Sequence, residues 1–380
     1  MRIALFDYKV VPTNPVGSCH LALVRGLCQE HEFTVFSLEF ANPCPHKAKH
    51  VRIFLPGRPL AALFWGYYVL APLAYLAHRL IWGRRFDLVQ MVESNLSFGQ
   101  VAYVHFCHRA YLRSHWKGSG ARGLRGFMRY LDHLFHAWME PFVFRRVRWL
   151  VVPSQGLKRE LEKTYPFTRG KIHVIPNPVD LDRMRRPVDF DREGFRQRLG
   201  AHSEDVVMVF VALGHFERKG LPLLLEAMRE LEHPSLKLWV VGGEADLVAA
   251  WRRRAAEMGL GMQVQFTGMQ KDIRPFLWGA DLFVLPSAYE TFSLVSFEAA
   301  AAGLPLLVTH LYGVEEFMRD GETGFVVEGS TQGVRLGLER LLALAPHQRE
   351  EMGRNAAKAV EGFRVENFVQ RWREFYERLA

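Results

Sequence analysis

Short apolar runs alternate with amphipathic stretches along most of this chain. Arg2–Asp7, Phe33–Leu38, Leu88–Val92, Val101–Phe106, Trp149–Pro153 and Lys171–Ile175 read as strands. A loop ending at Gly17 and a helix-like stretch to Glu30 follow the first of them. Ser154 suits the N-cap of the helix that begins after the fifth. From Leu181 to about Asp205 the sequence turns polar and charged, which reads as a linker with a short helix.

A second alternation then starts: strand Val206–Leu213, helix Leu221–Leu231, strand Leu236–Val241, helix Leu247–Met258 and strand Val264–Thr267. It continues with helix Ile273–Trp278, strand Leu282–Leu285, a helix ending near Gly303 and strand Leu306–Thr309. Strands alternating with helices imply parallel sheets built from right-handed βαβ units. Two such sets predict an α/β chain of two Rossmann-like domains facing a cleft, with ligands beyond the carboxyl ends of the strands.

Two stretches break the pattern. Pro59–Trp82 is apolar enough to raise a membrane-spanning reading, but Gly66, Pro72, His78 and Arg79 interrupt it. A buried or cleft-lining helix pair and an interfacial membrane contact are the other readings. Arg109–Arg148 holds nine Lys and Arg, with Asp132 and Glu140 as its acidic residues and aromatics interleaved. It reads either as a surface for anionic lipid or glycan or as a solvated helix face over an ordinary core.

Length and charge sharpen this. At 380 residues the chain is about twice the common size of one domain. Residues 1–180 carry 24 Lys and Arg against 11 Asp and Glu, whereas the remainder carries 25 against 29. The basic first half therefore suits an anionic partner, and charge by itself does not choose among nucleic acid, a membrane surface and a phosphorylated glycan. Cys19, Cys28, Cys44 and Cys107 form no C-x-x-C pair and are expected as reduced thiols of a cytoplasmic protein. The opening Met1–Phe6 reads directly as a strand, with no basic and apolar leader.

Candidate chemistry gathers in the second half. After Val206–Leu213 comes Gly214-His215-Phe216-Glu217-Arg218-Lys219-Gly220, where Gly214 permits a tight turn and Arg218 and Lys219 are long cations able to reach a diphosphate. Cations near a helix N-terminus are disfavoured unless an anion answers them. After Leu282–Leu285, Glu290 and Glu298 flank a strand–loop–helix junction. Carboxylates there accept from sugar and ribose hydroxyls while helix-start amides take phosphate.

These motifs resemble those of the retaining GT-B glycosyltransferases of family 4, the glycosyl transferases group 1. The resemblance rests on the Arg/Lys loop, the E-x7-E of Glu290 and Glu298, and Val174-Ile175-Pro176-Asn177-Pro178-Val179-Asp180. Val240-Val241-Gly242-Gly243, Gly268 with Asp272, and Ala280-Asp281 extend it. It departs from the family at Ser18, His215 and Pro178, where the family usually has Gly, Arg and Gly.

The resemblance implies a GT-B fold with an acceptor domain at 1–180, a linker at 181–205 and a donor domain at 206–364. A C-terminal helix at about 365–379 is expected to cross back onto the first domain. It implies catalytic roles for His105, Arg218, Lys219 and Glu290, with Arg218 and Lys219 on the donor diphosphate and Glu290 on the transferred sugar. Gly17, Gly214, the Phe292, Ser293 and Leu294 amides, and Glu298 on the ribose complete the donor site. His105, His108 and Arg109 are the acceptor-side candidates.

The expected reaction is sugar transfer from a nucleotide-diphosphate sugar to a hydroxyl with retention. The acceptor would be an anionic glycan or lipid-linked molecule, as in lipopolysaccharide or other cell-surface polysaccharide assembly. No cofactor, no essential metal, no metal ligand and no nucleic acid are expected, and peripheral contact with the inner face of an anionic membrane is. The rival readings are a GT-B sugar-nucleotide epimerase or hydrolase and a non-catalytic sugar- or lipid-binding protein.

Overall fold

A computed structural model describes residues 1–55, 60–83, 85–116 and 123–379, the side chains of 60–62 and 125 excepted. Pro59 and residues 117–122, parts of the two unusual stretches, lie outside the described residues.

In chain order the elements are β1 (Arg2–Phe6), β2 (Lys9–Val10), α1 (Pro15–Leu27), β3 (Glu32–Ser37), β4 (Glu39–Phe40), β5 (Ala48–Arg52) and α2 (Leu60–Trp82). Next come β6 (Leu88–Val92), β7 (Val101–Tyr103), α3 (His108–Ser114), α4 (Gly123–Arg146), β8 (Trp149–Val152), α5 (Gln155–Thr164) and β9 (Ile172–Val174). Then follow α6 (Leu181–Met184), α7 (Arg192–Arg198), β10 (Val206–Val211), α8 (Leu221–Leu231), β11 (Leu236–Val241), α9 (Ala245–Glu257), β12 (Val264–Gly268) and α10 (Arg274–Gly279). The chain ends with β13 (Leu282–Leu285), α11 (Leu294–Ala301), β14 (Leu306–Thr309), β15 (Gly324–Val327), α12 (Thr331–Leu342), α13 (Pro346–Ala359) and α14 (Val365–Glu377).

These elements form two compact α/β units. Among the described residues, one takes in the chain up to Pro178 and again from Val365; the other spans Val179–Arg364. Both are built on parallel sheets, as the alternation of strands and helices implies.

The first unit has a seven-stranded sheet in the order β5-β3-β1-β6-β7-β8-β9. The order reverses between β1 and β6, so the crevice beyond their carboxyl ends is the natural ligand position. Helix α14 is held in this unit by Phe368, Trp372, Phe375 and Tyr376, all buried with Leu23, Val24 and Leu27 of α1. Arg373 reinforces it with a 2.8 Å ion pair to Glu30.

Three expectations fail in this unit. Residues 59–82 do not make a helix pair: α2 runs unbroken through Pro72. Leu63, Tyr67 and Ala71 before the proline and Ala74 and Tyr75 after it pack into the core of this unit, so tertiary burial outweighs one missing backbone hydrogen bond. Among the described residues, no helix is long and apolar enough to cross a membrane. The cysteines are not all thiols, since Cys28 and Cys44 are bonded to each other while Cys19 and Cys107 are free and buried. Gly17 lies not in a loop but in the first turn of α1, where its N–H reaches the Asn14 cap at 2.8 Å. A Cβ there would fall 1.8 Å from the Lys9 carbonyl oxygen, which explains glycine at that position.

The second unit has a six-stranded sheet in the order β12-β11-β10-β13-β14-β15, reversing between β10 and β13. Residues 181–205, expected as a linker with a short helix, carry the two short helices α6 and α7 within this unit. Buried Arg196 of α7 bonds Asp281 at 2.9 Å, the Gly279 carbonyl at 3.2 Å and the Asp205 carbonyl at 2.5 Å. Asp281 in turn accepts from the Val207 amide at 2.7 Å. This polar clamp fixes α7 to the start of β10 and β13 and satisfies a buried guanidinium that a polar linker would leave in water.

Candidate active site

The loops after β10 and β13 meet at the reversal point of the second sheet. Ala288 donates its N–H to the Arg218 carbonyl at 2.8 Å, and Arg218 Nη1 donates to the Tyr289 carbonyl at 2.8 Å. Gly220 makes this approach possible. Its φ is +84°, and a Cβ would stand 2.0 Å from the Pro286 carbonyl oxygen. His215, where the family usually has arginine, is left-handed at φ 56°, a conformation His tolerates better than β-branched residues.

The result is a compact ionic cluster. Lys219 Nζ lies 2.6 Å from Glu290 Oε1, and Arg218 Nη1 lies 3.9 Å from the same oxygen. Ser287 Oγ donates to it at 2.8 Å. Burial by itself raises the Glu290 pKa; Lys219 and Arg218, with the two hydrogen bonds, outweigh burial and hold the carboxyl below its usual range. Two cations against one carboxylate leave the cluster with an excess positive charge, suited to a further anion.

Glu298 is half-buried in α11, and burial raises its carboxyl, opposed by Arg183. Ser293 heads that helix without a side-chain cap, because its hydroxyl bonds Ser296 Oγ at 2.9 Å instead. The Leu294 amide donates to the Phe292 carbonyl at 3.1 Å. Phe292 stacks on Phe297 with centroids 4.4 Å apart. Gly214 begins the loop with open space around its Cβ position.

In the first unit, His105 follows β7 rather than ending it. Its Nε2 faces Asn177 Oδ1 at 3.2 Å, and the same oxygen accepts from Tyr103 OH at 2.6 Å. Its Nδ1 is buried with no hydrogen-bond partner among the described residues. Burial lowers the imidazole to about 4, against the opposite pull of Glu93, so it is neutral at physiological pH. Arg109 donates to the Ala137 carbonyl at 3.2 Å and lies 5.1 Å above the Tyr165 ring, which gives it a packing role inside the unit.

His108 begins α3, its amide bonded to buried Glu140 at 2.5 Å. Burial lowers His108 and His136 to about 3 each and raises Glu140 and Asp132 to about 7 each. His108 and His136 stack with centroids 4.5 Å apart, beside Glu93, whose backbone is left-handed at φ 50°.

The sequence reading missed Glu93, Asp132, His133 and His136, which the fold gathers around His108. It also missed a buried chain at the end of β1. Tyr376 OH donates to Gln90 Oε1 at 2.8 Å, the Gln90 amide faces His20 Nε2 at 3.1 Å, and His20 Nδ1 faces Asp7 at 2.8 Å. Its bonded neighbours are up to 286 residues apart, so no local spacing announces them.

Comparison with known proteins agrees with this architecture. The family model described as Glycosyltransferase Family 4 matches residues 16–183, and that described as Glycosyl transferases group 1 matches residues 191–359. The chain is 37% identical over 196 residues to the lipopolysaccharide core biosynthesis glycosyltransferase LpsE of Rhizobium meliloti, covering 50% of each chain. It spans about half the length of the curated relatives it first matches. Among solved structures, WaaG, a glycosyltransferase involved in lipopolysaccharide biosynthesis, matches with a TM-score of 0.74 at 18% identity, over 98% of this chain and 99% of that one. Anabaena HepE in complex with UDP and glucose matches with a TM-score of 0.71 at 19% identity, over 100% of both chains. At these identities the structural likeness establishes the fold, and the two family models between them span both units: the chain belongs to the group 1 glycosyltransferases of GT-B fold.

Proposed function

We propose that this protein transfers a sugar, with retention, from a nucleotide-diphosphate donor to a hydroxyl of an anionic glycan or lipid-linked acceptor. The observation that carries the reading is the Arg218–Lys219–Glu290 cluster at the reversal point of the second sheet. Arg218 and Lys219 would bind the diphosphate and stabilise charge growing on the leaving phosphate, an electrostatic role that a metal fills in other transferases. Glu290 would meet the sugar and Glu298 the ribose. Same-face attack then leaves the departing phosphate oxygen to take the acceptor proton, and needs no covalent nucleophile.

The names of relatives support both ends of this reading. LpsE and WaaG are named for lipopolysaccharide synthesis, and HepE is described with UDP and glucose. Contact with an anionic membrane draws support from the outer faces of two helices. Trp65, Val69, Leu73, Leu76 and Leu80 of α2 are exposed, as are Phe127, Leu131, Leu134, Trp138 and Phe142 of α4. Arg79, Arg145 and Arg146 are exposed on the same two helices. Apolar and basic side chains on one helix face suit an anionic lipid surface.

The test is to incubate the protein with a panel of nucleotide sugars and follow nucleoside diphosphate release, first in water and then with membrane extracts. Release that rises with extract and labels a glycan or lipid supports transfer. Sugar-nucleotide isomerisation or release indifferent to acceptor would favour an epimerase or hydrolase, and binding without turnover a silent binding protein.

A further inference from the structure

A second group of polar side chains lies in the first unit, at the carboxyl ends of β6 and β7. We propose that Glu93, His108 and His136 bind one zinc-type divalent cation there, supported by His133, Asp132 and Ser94. The inference does not depend on the donor-site reading.

The donor atoms converge. One ligand atom from each of the three residues lies within 4.8 Å of the others. Glu93 Oε2 and His108 Nε2 are 3.4 Å apart. Tetrahedral ligands at zinc bond lengths of about 2.0–2.1 Å stand roughly 3.4 Å apart, so small side-chain movements complete the shell. The side chains are mostly enclosed, with 19% of Glu93, 9% of His108 and 3% of His136 exposed.

The surroundings suit ligation. A metal-bound imidazole usually directs its other nitrogen to a neighbour that fixes its tautomer. With Nε2 on the cation, His108 Nδ1 meets His133 Nδ1 at 2.9 Å. For His136, Nδ1 faces Ser94 Oγ at 3.2 Å and Nε2 faces Asp132 Oδ1 at 3.7 Å, so whichever nitrogen ligates, the other faces an oxygen. Asp132 Oδ1 is buried and has no hydrogen-bond partner among the described residues. Glu93 and Asp132 place two carboxylates beside the two imidazoles, Asp132 also feeling the charge of Arg129, and two nitrogen donors of three favour zinc over magnesium or calcium.

Cobalt(II) is the probe, because its d–d absorption reports nitrogen and oxygen ligation directly. The full chain is stripped with chelator, dialysed and titrated with cobalt, then zinc is added in competition. The expected result is one saturable site with intense visible bands that zinc abolishes, and zinc raises the thermal unfolding midpoint. Glu93→Gln and His136→Gln, each checked by circular dichroism, should weaken cobalt binding by more than about tenfold, whereas His46→Gln, away from the cluster, should not. Absence of visible bands in the wild-type chain overturns the proposal without reference to any variant. Bands that persist unchanged in both Glu93→Gln and His136→Gln overturn it too.

Discussion

Lys219 Nζ lies 2.6 Å from Glu290 Oε1, so the residue expected to hold a phosphate is already paired with the carboxylate expected to meet the sugar. Both side chains are less than a fifth exposed, and Ser287 donates to the same oxygen. The pair should therefore be energetically coupled. In a double-mutant cycle of Lys219→Met and Glu290→Gln, urea unfolding should give a coupling of about 1.5–3 kcal/mol. Additive effects would mean that the contact contributes nothing to the folded state.

Gly220 is the joint between the two loops. Gly220→Ala must accommodate φ +84° and a Cβ overlapping the Pro286 carbonyl, so the loops should move apart. The expected outcome is a stability loss of about 1–3 kcal/mol together with weakened nucleotide binding. Calorimetry and thermal unfolding read both, and a stable variant with unchanged affinity would separate this joint from the site.

Glu298 carries a stability signature of its own. Its folded pKa is raised above the usual 4.5 chiefly by burial. The folded state thus holds the proton more tightly than the unfolded chain, and stability is greatest below pH 4.5 and declines as pH rises through the folded value. At neutral pH the ionised carboxylate is a net cost to the ligand-free protein. Glu298→Gln should raise the neutral-pH unfolding midpoint, leave that at pH 4.5 nearly unchanged, and weaken nucleotide binding. A lower midpoint at neutral pH would contradict this.

Phe127 and Trp138 are more than half exposed on α4. Replacing both with Ser should reduce partition onto anionic vesicles by about tenfold or more, while added salt should weaken binding of either protein. Equal binding to neutral and anionic vesicles, or no effect of the substitutions, would remove the membrane from the account.

Some of this was legible in the chain and some was not, for identifiable reasons. The strands β10, β11 and β13 are short buried apolar runs between turn residues, so the Arg218 and Glu290 loops could be located, although β10 ends at Val211, two residues before the expected Leu213. Strand β5 could not, because Lys49, His50 and Arg52 at the sheet edge are exposed and leave no apolar run. Strand β2 is two residues long, below any periodic signal. The Arg196–Asp281 clamp is separated by 85 residues, which is why 181–205 read as a polar linker. Glu93, His108 and His136 likewise share no spacing, although Asp132 and His136 stand four apart on one helix and offered a partial clue.

The most direct measurement of the central claim is calorimetric titration of nucleoside diphosphates, uridine diphosphate first, into the wild-type chain, Arg218→Ala and Lys219→Ala. Stoichiometric binding by the wild type is expected, with affinities about tenfold to a hundredfold weaker in each folded variant, the loss of one charge-assisted contact. Unchanged affinity in both variants would contradict it and place the diphosphate site elsewhere.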